Sequence, residues 1–486
     1  MHDTRDISGQ PVPEPDSWTY EADVVVLGSG GAGMLAAIEA AEMDVRTVVL
    51  EGQPELGGST RLSGGYVSLC ETELVSGRRE ALLEDLDEAH HHDSHFELSR
   101  VYVDSAADTY RRLQELGVEF VGTMQFAHMS QPWAHEPGGI GGGAEIIGKL
   151  QQAAVRRQVE FRASTRATAL VMNAAGRIVG VVAQTASGQQ SFHARKAVVL
   201  ATGGFTRNPD LIKRYGREEA AKFLPITGKG SLGDGLKLGL GVEAATSYLE
   251  VGIAPTGPVD PVSGGASLVN YKGAILVNKE GKRFCRESDV YLDLSWAGVR
   301  QTGQLMIQVY DSEIRADYLN WRLSSILGQC QEHSASTMEQ LAARLSAVCG
   351  MDAAALVETV AGYNRYVDNG YDPDFGRGNL VGSAGALRRI EKSPFFATVL
   401  KPGTTHFNGG LRVNRNMQVL RKNGDVIPGL YAAGEITGGF HGTGYMSGTF
   451  VGSALIFGRI AGKNAADERR AWGEQEAGNM DVSVLS

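Results

Sequence analysis

The feature that most constrains this chain is a glycine-rich turn close to its N-terminus. The sequence Gly28-Ser-Gly-Gly-Ala-Gly33 follows a short apolar run, Asp23-Val-Val-Val-Leu27, and opens an alanine-rich segment. A second apolar run follows and ends at Glu51. A strand, a glycine turn, a helix and a second strand within about 30 residues are typical of a βαβ unit that binds a dinucleotide. The pattern therefore predicts an α/β domain of the Rossmann type.

The glycines of this turn have separate roles, which depend on their spacing. Gly28 allows the tight turn, Gly30 lets the backbone approach a pyrophosphate, and Gly33 lets the helix pack closely on the strand. The start of the helix, at Gly31 and Ala32, offers free N–H groups and the positive end of its dipole to phosphates. The turn is therefore predicted to hold the diphosphate of a dinucleotide.

Glu51 completes the pattern at the end of the second strand, where an acidic residue accepts hydrogen bonds from the adenosine ribose. The alternative is a glycine-rich turn that binds no ligand. The presence of strand, turn, helix and acidic residue together argues against that alternative. These parts do not distinguish NAD from FAD.

Charge and cysteine spacing exclude several classes of protein. The formal net charge of −10 argues against a nucleic acid or an anionic membrane as partner. The four cysteines form no Cys-x-x-Cys pair, so the sequence indicates no metal site, iron–sulfur cluster or disulfide framework. No apolar run is long enough to cross a bilayer, and the N-terminal segment lacks the pattern of a secretion signal. We therefore expect a cytoplasmic protein with no integral membrane segment.

A chain of 486 residues is too long for one hydrophobic core, so the sequence predicts two domains. Irregular sequence rich in glycine and proline begins near residue 245 and marks an inserted α+β domain. The predicted organisation is an N-terminal arm over 1–20, a dinucleotide-binding domain over 21–244 and 380–470, an inserted substrate or cap domain over 245–379, and a polar tail over 471–486. The patterns predict helices over 80–122, 144–157, 295–327, 337–347, 352–368 and 448–470, and a β-meander over 159–200.

Several further segments resemble the flavin-binding parts of the fumarate reductase and succinate dehydrogenase flavoprotein family. They are the loop Leu56–Gly65, the strand end Ala201–Gly204, the turn Gly233–Gly235, the strand end Ala433–Glu435 and the segment 432–449. Their order and spacing match from about residue 22 to 466. The resemblance implies FAD as the cofactor and a GR2-type flavoprotein fold, with a Rossmann-like FAD-binding domain. Some members attach FAD through a histidine in the loop that matches 59–65; no histidine stands there, so we expect FAD to be non-covalent.

The resemblance also implies which residues of these segments contact the flavin. They are Gly57, Gly58, Ser59, Ser63, Gly64, Gly65, Thr202, Gly203, Gly204, Asp234, Gly434, Glu435, Ser447 and Thr449. In the family, the helix that begins near Gly448 directs its N-terminus at the pyrimidine side of the flavin. A helix dipole in that position favours the anionic reduced flavin.

The substrate site departs from the pattern of the family's fumarate-reducing members. Their histidine at the start of the inserted domain is replaced by Ala254, and their catalytic arginine is replaced by Tyr291. Their substrate-binding arginine is replaced by Tyr445, whereas a second histidine is retained as His406. A phenol cannot neutralise a carboxylate, although it can donate a hydrogen bond to a ketone. Fumarate or succinate is therefore not the expected substrate.

Tyr291 and the segment Gly444-Tyr-Met-Ser-Gly-Thr449 resemble the active site of flavin-dependent 3-ketosteroid dehydrogenases of the Δ4-(5α) type. Cyclohexanone-type desaturases share this chemistry on smaller substrates. The resemblance implies removal of hydrogen from two carbons beside a ketone. Tyr445, with a nearby backbone N–H such as that of Gly448, is expected to polarise the carbonyl.

Two further groups are expected to complete the reaction. Tyr291 and Ser447 are candidates to take the α-proton, and the flavin takes the hydride. His406 and Gly448 are expected to contact the substrate. The alternatives are that Tyr291 is a packing tyrosine in an irregular loop and that Ser447 only caps a helix.

Three functions remain open from the sequence. The first is an FAD-dependent desaturase of a cyclic ketone, with an external acceptor such as a quinone, oxygen or an electron carrier. The second is the reverse reaction, an ene-reductase of an enone or enoate; such reductases often carry a haem or FMN domain, and the printed sequence shows none. The third is a flavin-binding scaffold without catalysis. The sequence is compatible with a homo-oligomer and does not separate a steroid from a small ring such as 4-oxocyclohexanecarboxylate.

Overall fold

The computed structural model describes residues 9–126, 128–139, 141–216, 218–250, 253–381 and 385–468. The predicted tail over 471–486 and the first eight residues of the predicted arm therefore lie outside the described residues. Within the described ranges, no helix combines the length and the apolar character that a membrane span needs.

The strands, in chain order, are β1 (Tyr20–Leu27), β2 (Thr47–Leu50), β3 (Val67–Ser68), β4 (Phe120–Met124), β5 (Ala134–Pro137), β6 (Glu160–Arg162), β7 (Arg166–Met172), β8 (Ile178–Thr185), β9 (Gly188–Leu200), β10 (Leu224–Pro225), β11 (Thr246–Ser247), β12 (Ile253–Val259), β13 (Ile275–Val277), β14 (Met306–Asp311), β15 (Glu332–Ala335), β16 (Phe395–Phe407), β17 (Gly410–Leu411), β18 (Gln418–Leu420) and β19 (Val426–Ala432).

The α-helices are α1 (Gly31–Ala41), α2 (Arg79–Ala89), α3 (Phe96–Glu115), α4 (Gly143–Arg156), α5 (Pro209–Tyr215), α6 (Asp234–Gly241), α7 (Tyr291–Val299), α8 (Ser312–Asn320), α9 (Arg322–Ile326), α10 (Met338–Cys349), α11 (Ala353–Asn369) and α12 (Thr449–Asp467).

The central sheet has the order β18-β19-β9-β1-β2-β6, and the β7–β8 hairpin joins its long strand β9. The five strands from β19 to β6 run parallel. Residues 22–27 of β1 are almost completely buried, as expected for a strand with helices over both faces of the sheet. The βαβ unit and the meander predicted from the sequence are confirmed, and the fold is a mixed α/β flavoprotein fold.

Helix α12 packs directly against α1, the helix that follows the glycine turn. A Cβ atom at Gly458 would collide with the backbone of Ala32, and one at Gly462 would collide with the backbone of Ala36. Glycines spaced by four residues lie on one face of a helix, so two helix backbones can approach closely. This contact holds the C-terminal helix beside the dinucleotide turn.

The helical segment predicted over 80–122 is confirmed in part, because the structure has two helices, α2 and α3, and then the strand β4 in this range. The helix is interrupted where His91 and His92 adopt positive φ angles of 58° and 54°. Helix α3 then ends before Gly117, which has a φ of 93° and leaves the helix in the left-handed conformation. Residues 120–124 pair with β5 instead of continuing the helix.

The helix predicted over 295–327 is wrong as one element. Helix α7 begins earlier, at Tyr291, and the buried run 306–311 forms β14, which pairs with β13 and β16. Helices α8 and α9 follow this strand. The run is too short to be distinguished from a buried helix by periodicity alone.

A second sheet is built around the long strand β16, which pairs with β10, β12, β14 and β15. A separate apolar core lies here and includes Val269, Ile307, Leu341 and Tyr363. The predicted division into 245–379 and its flanking parts stays a prediction. The second sheet takes β16 from residues after 379 and β10 from residues before 245.

A buried ion cluster connects the parts of this second core. Arg283 bonds to Glu287 at 2.7 Å and to Asp372 at 2.8 Å, and Arg377 lies 3.4 Å from Glu287. All four side chains are at most 3% exposed. A buried cluster of this kind is stable only when every charge keeps its partner.

Candidate active site

The glycine turn has the shape that its sequence predicts. Gly28 has a φ of 99°, and a Cβ there would collide with the carbonyl of Ala201. A Cβ at Gly33 would collide with the carbonyl of Gly28, which explains the close contact between helix and strand. At Gly30, by contrast, an added Cβ would meet only the Thr60 hydroxyl, 3.9 Å away. The open face of the turn is thus at the residue assigned to approach a pyrophosphate.

The N-terminus of α1 is free to bind an anion. Helix α1 begins after Gly30, has no side-chain cap and carries no acidic residue in its first turn. The Gly31 amide donates a hydrogen bond to the Thr60 hydroxyl at 3.1 Å, and Ala32 follows in the first turn. Uncapped N–H groups and the dipole of such a helix favour a phosphate.

Glu51 lies at the carboxyl end of β2, next to the turn. Its carboxylate accepts hydrogen bonds from the Ser29 hydroxyl at 2.6 Å and from the Gln53 amide at 2.8 Å. The Ser29 amide also donates to Oε2, at 3.0 Å, so Oε1, which accepts only from the Gln53 amide, is the oxygen with an acceptor site left. The side chain is therefore oriented by protein donors and keeps an acceptor site for a ribose.

The loop Leu56–Gly65 lies against the glycine turn. The Gly57 amide donates to the Ser29 hydroxyl at 3.0 Å, and a Cβ at Gly58 would stand 3.4 Å from the Cα of Gly30. Gly65 has a φ of 72° and contacts the backbone of Gly142. The loop is therefore placed beside the turn by backbone contacts that only glycine permits.

The polar residues of this loop are largely engaged within the protein. Ser59 accepts a hydrogen bond from the Gly228 amide at 3.0 Å, and Ser63 donates to the Thr60 carbonyl at 2.7 Å. Gly64 packs near Leu323 of α9. Contacts of Ser59, Ser63 and Gly64 with a flavin stay a prediction.

Two strand ends meet beyond the turn, at Thr202–Gly204 and Gly434–Glu435. A Cβ at Gly204 would collide with the Glu435 carboxylate, and one at Gly434 would stand 2.9 Å from the Cβ of Ala32. The Thr202 hydroxyl is buried with no hydrogen-bond partner among the described residues. Burial raises the pKa of Glu435 to about 7, although the Phe407 and Gly204 amides oppose the rise. The unpartnered hydroxyl of Thr202 and the buried carboxyl of Glu435, on these two strand ends, can bind the hydroxyl groups of a ribityl chain.

Asp234 differs from the other predicted flavin contacts. It is the first residue of α6, and its carboxylate binds Arg166 through two hydrogen bonds of 2.6 and 2.7 Å. The structure therefore directs this carboxylate to Arg166 and brings the N-terminal end of α6 next to Thr202 instead.

The start of α12 forms the other side of the site. Gly448 is the N-cap residue with a φ of 80°, and the helix has neither a side-chain cap nor an acidic residue in its first turn. The Ser68 hydroxyl donates to the Ser447 carbonyl at 2.7 Å, and Thr449 donates to the Met446 carbonyl at 2.6 Å. The alternative role of Ser447 as a helix cap is therefore wrong.

Tyr291 and Ser447 meet although 156 residues separate them in the chain. The Tyr291 hydroxyl and the Ser447 Oγ form a hydrogen bond of 3.2 Å. The ring of Tyr445 lies 6.0 Å from that of Tyr291, measured between centroids. Tyr291 is the first residue of α7, so the alternative of a tyrosine in an irregular loop is wrong.

Both phenols are protonated at neutral pH. Burial raises the pKa of Tyr291 well above its ordinary value, and the neighbouring Tyr445 adds to the rise. Burial also raises the pKa of Tyr445, although hydrogen bonds from the Tyr291 hydroxyl and the Gly448 amide oppose that rise. Each phenol is therefore a hydrogen-bond donor in the resting site.

His406 lies beside Tyr445, with 5.4 Å between the ring centroids. Its Nδ1 is 2.8 Å from the Thr405 hydroxyl, and its Nε2 has no partner among the described residues. Burial alone holds the pKa of His406 well below its ordinary value, so the ring is neutral. A neutral imidazole can bind a carbonyl or a hydroxyl but does not supply a cation for a carboxylate.

Three further rings lie around the site, those of Phe450, His441 and His90, and the position of His90 carries no signal in its local sequence. Phe450 packs 4.9 Å from Tyr445 between centroids, and His441 stacks on Phe450 at 3.8 Å. His90 lies against His441 from the far end of α2. No local motif connects residue 90 with residue 441, so only the tertiary structure could reveal this contact.

The turn, the two strand ends and the uncapped α1 terminus together fit FAD, and the fold is that of an FAD-dependent oxidoreductase. Residues 23–451 match the FAD binding domain family. The chain belongs to this family, and FAD is its cofactor.

Known relatives span two kinds of reaction. The cytochrome-type fumarate reductase of Shewanella frigidimarina is 31% identical over 454 residues, which cover 91% of this chain and 77% of the relative. The solved open conformation of a flavocytochrome c3 fumarate reductase has a TM-score of 0.83 and 29% identity, over 93% of this chain and 79% of that one. The 3-ketosteroid-Δ4-(5α)-dehydrogenase of Rhodococcus jostii, solved with 4-androstene-3,17-dione, has a TM-score of 0.72 and 25% identity, over 94% of this chain and 99% of that one. The chain thus belongs to a superfamily of flavin-dependent ene-reductases and dehydrogenases.

Proposed function

We propose that this protein is an FAD-dependent desaturase that removes hydrogen from the α and β carbons of a cyclic ketone. The observation that carries the proposal is the convergence of Tyr291, Tyr445 and Ser447. The 3.2 Å hydrogen bond between Tyr291 and Ser447 joins the start of α7 to the start of α12, and Tyr445 lies beside it. Phenols and a hydroxyl at this place suit a neutral carbonyl substrate.

Tyr445 is the donor that polarises the ketone. Its raised pKa keeps the phenol protonated, and the Gly448 amide lies close enough to its oxygen to lower that pKa in part. We propose that a bound carbonyl oxygen takes over the Gly448 amide from the phenol, so that the amide and the Tyr445 hydroxyl both donate to it. Donors aimed at an oxygen that gains charge stabilise an enolate and make the α-hydrogen acidic.

Tyr291 and Ser447 form the relay for the α-proton. The raised pKa of Tyr291 makes a standing phenolate unfavourable, so this residue can accept a proton only if it passes its own proton on. Ser447 is its hydrogen-bond partner and provides the next oxygen. When bound, the flavin supplies the hydride acceptor, N5.

The surroundings of the site favour an uncharged ring. The pKa of His406 and that of His441 are lowered by burial, with the other imidazoles as the further cause at His441. Tyr445 has Phe450 and His406 as ring neighbours. We propose a neutral cyclic ketone, of the steroid or the cyclohexanone type, over an oxocyclohexanecarboxylate.

The test is anaerobic mixing of the purified holoenzyme with single ketones. The panel is cyclohexanone, 4-oxocyclohexanecarboxylate, a 5α-3-ketosteroid and a Δ4-3-ketosteroid. Bleaching of the flavin absorbance by one class, with the matching enone as product, supports the proposal and identifies the ring. The proposal fails if no ketone bleaches the flavin.

The alternative function is an ene-reductase acting on an enone or enoate. The observation that favours this alternative is the similarity to a fumarate reductase over 91% of the chain. A flavin pre-reduced with dithionite and then reoxidised by fumarate or urocanate, but not by enones, would support the enoate form of this alternative and contradict the desaturase. For the desaturase we propose an external electron acceptor, such as a quinone, oxygen or an electron carrier.

A further inference from the structure

Two buried histidines next to the site have no role in the proposed reaction so far. His90 follows the last turn of α2 and is 0% exposed, and His441 is 5% exposed. Neither nitrogen of either ring has a hydrogen-bond partner among the described residues. Two adjacent imidazoles in this state need an explanation, because most buried polar groups are paired.

The two rings lie in series beside the substrate site, in ring contact but with no hydrogen bond between them among the described residues. His90 contacts His441 at 5.3 Å between centroids, with the rings nearly perpendicular at 76°. His441 lies 6.0 Å from Tyr445 and 6.3 Å from His406. The order of the rings is therefore Tyr445, which is proposed to hold the carbonyl, then His441 from the loop before α12, and then His90 from the end of α2.

The outer end of this series of rings reaches the surface directly after His90. His91 is exposed and lies 3.5 Å from the Thr443 hydroxyl, and the exposed His92 pairs with Asp87 at 2.7 Å. The buried His90 is therefore followed in the chain by two exposed histidines.

Packing alone is a weak explanation for these side chains. His90 contacts the ring of Phe440 at 5.3 Å, a position that phenylalanine or leucine could fill. A buried polar group without a partner costs about 1–3 kcal/mol, which an apolar residue would avoid. The residues do not gather around one point as metal ligands do, since no group of His, Cys, Asp or Glu in the described ranges could hold a metal ion.

The protonation state of the rings suits proton transfer. Burial lowers the pKa of His90 to about 3 and that of His441 well below its ordinary value. A neutral imidazole has one donor and one acceptor nitrogen, so it can accept a proton on one side as it releases another on the opposite side.

We propose that His441 and His90 form a proton route between the Tyr445 end of the substrate site and solvent. The route rests on the proposed function, because each desaturation breaks an α C–H bond and leaves one proton in a buried site. The electron pair of that bond forms the new double bond, and the hydride goes to the flavin. The proton passes from the relay of Tyr291 and Ser447 to the Tyr445 hydroxyl, which accepts a hydrogen bond from Tyr291, and then along His441 and His90 to solvent. The reverse reaction would draw its proton inward along the same residues.

The test compares two variants of His90 with a matched control. His90→Phe keeps an aromatic ring without nitrogen, and His90→Gln keeps a donor and an acceptor that cannot exchange a proton. His193→Phe is the control, because His193 is another buried histidine with an unpartnered Nε2, stacked on Trp18 far from the site. FAD content and thermal unfolding confirm that each variant is folded.

We expect kcat to fall about tenfold or more in both His90 variants, with KM little changed and a larger solvent deuterium isotope effect. The His193→Phe control should match the unmodified protein. Unchanged kcat and isotope effect in either His90 variant would overturn the route. A purely structural role would lower FAD content or thermal stability without raising the isotope effect.

The unmodified protein supplies an independent measurement. The rate of flavin reduction in mixtures of H2O and D2O should follow a curve, because several protons move along the route together. A linear dependence of the rate on the D2O fraction, as expected when a single proton moves, would overturn the route. This measurement does not depend on whether the variants fold. Turnover of the unmodified protein with ketones tests the proposed function separately. If it turns over neither ketones nor enones, the proposed function and the route both fail.

Discussion

Replacing Tyr445 by phenylalanine removes one oxygen from the centre of the proposed site. The ring contacts stay, because His406 and Phe450 pack against the ring at 5.4 and 4.9 Å between centroids. The change removes the donor to the ketone and the bond between this phenol and Tyr291. Catalysis should therefore suffer far more than folding.

The two effects differ in size. Loss of one hydrogen bond inside the protein costs about 0.5–1.5 kcal/mol of stability. Loss of one donor aimed at an oxygen that gains charge costs about 10²–10³ in rate, or roughly 3–4 kcal/mol. Gly448 would remain as the second donor, so some activity should persist.

The assay is stopped-flow flavin reduction by the ketone that the panel identifies. We expect the limiting rate of Tyr445→Phe to fall about 10²–10³-fold, while the FAD content stays at that of the unmodified protein. The matched control is Tyr310→Phe, which removes a buried phenol that donates to Glu332 at 2.7 Å in the second core. The control should reduce flavin at the normal rate.

The reasoning is refuted by one particular result. If Tyr445→Phe is folded, binds FAD and reduces it within about threefold of the normal rate, a donor effect of the expected size is absent. Tyr445 would then be a packing residue, and the carbonyl would be held elsewhere.

Three other changes test separate parts of the structure. Ser447→Ala removes the hydrogen-bond partner of Tyr291 and should slow flavin reduction, measured by stopped flow, about tenfold or more. The melting temperature should not fall, because Ser447 does not cap α12. A normal rate would remove Ser447 from the relay. Asp372→Asn removes one of the two carboxylates that pair with Arg283 and leaves a net positive charge in the buried cluster, so it should lower the unfolding free energy in urea by about 3–5 kcal/mol. A loss below about 1 kcal/mol would contradict a tightly coupled buried cluster. Because burial raises the pKa of Glu435 to about 7, protonation stabilises the folded FAD-free protein at low pH. That contribution of up to about 3 kcal/mol is lost as the pH rises from the ordinary pKa of a glutamic acid toward 7, so the melting temperature of the FAD-free protein should fall between pH 5 and 8. Glu435→Gln should remove this fall.

The cofactor half of the protein could be predicted from sequence because its constraints are local. A positive φ at Gly28 and the close contact between Gly33 and Gly28 belong to one turn, so the spacing of the glycines describes the geometry directly. The segment 80–122 shows the limit of this reasoning. The spaced apolar positions that indicate a helix lie over 100–116, whereas positive φ angles at His91 and His92 end the first helix, and the His91 ring contacts Thr443, which is distant in the chain.

For the proposed substrate site, the sequence predicted which residues take part but not how they are arranged in space. Tyr445 stands four residues before the start of α12, and the sequence contains no measure of its distance from Tyr291. At Asp234 the sequence motif is present, but the structure shows that its carboxylate binds Arg166. Side-chain direction depends on partners that are distant in sequence.

The sequence by itself determined the dinucleotide-binding turn, because the parts of that turn are contiguous in the chain. The order of the flavin-binding segments and the replacement of the family's arginines by Tyr291 and Tyr445 were predictions from a resemblance. Only the tertiary structure decided that Tyr291 meets Ser447 and that His90 lies against His441. The physical reason is that these contacts depend on how α2, α7 and α12 are placed by the sheets and cores beneath them. Such placement results from the packing of the whole chain, which no local pattern encodes.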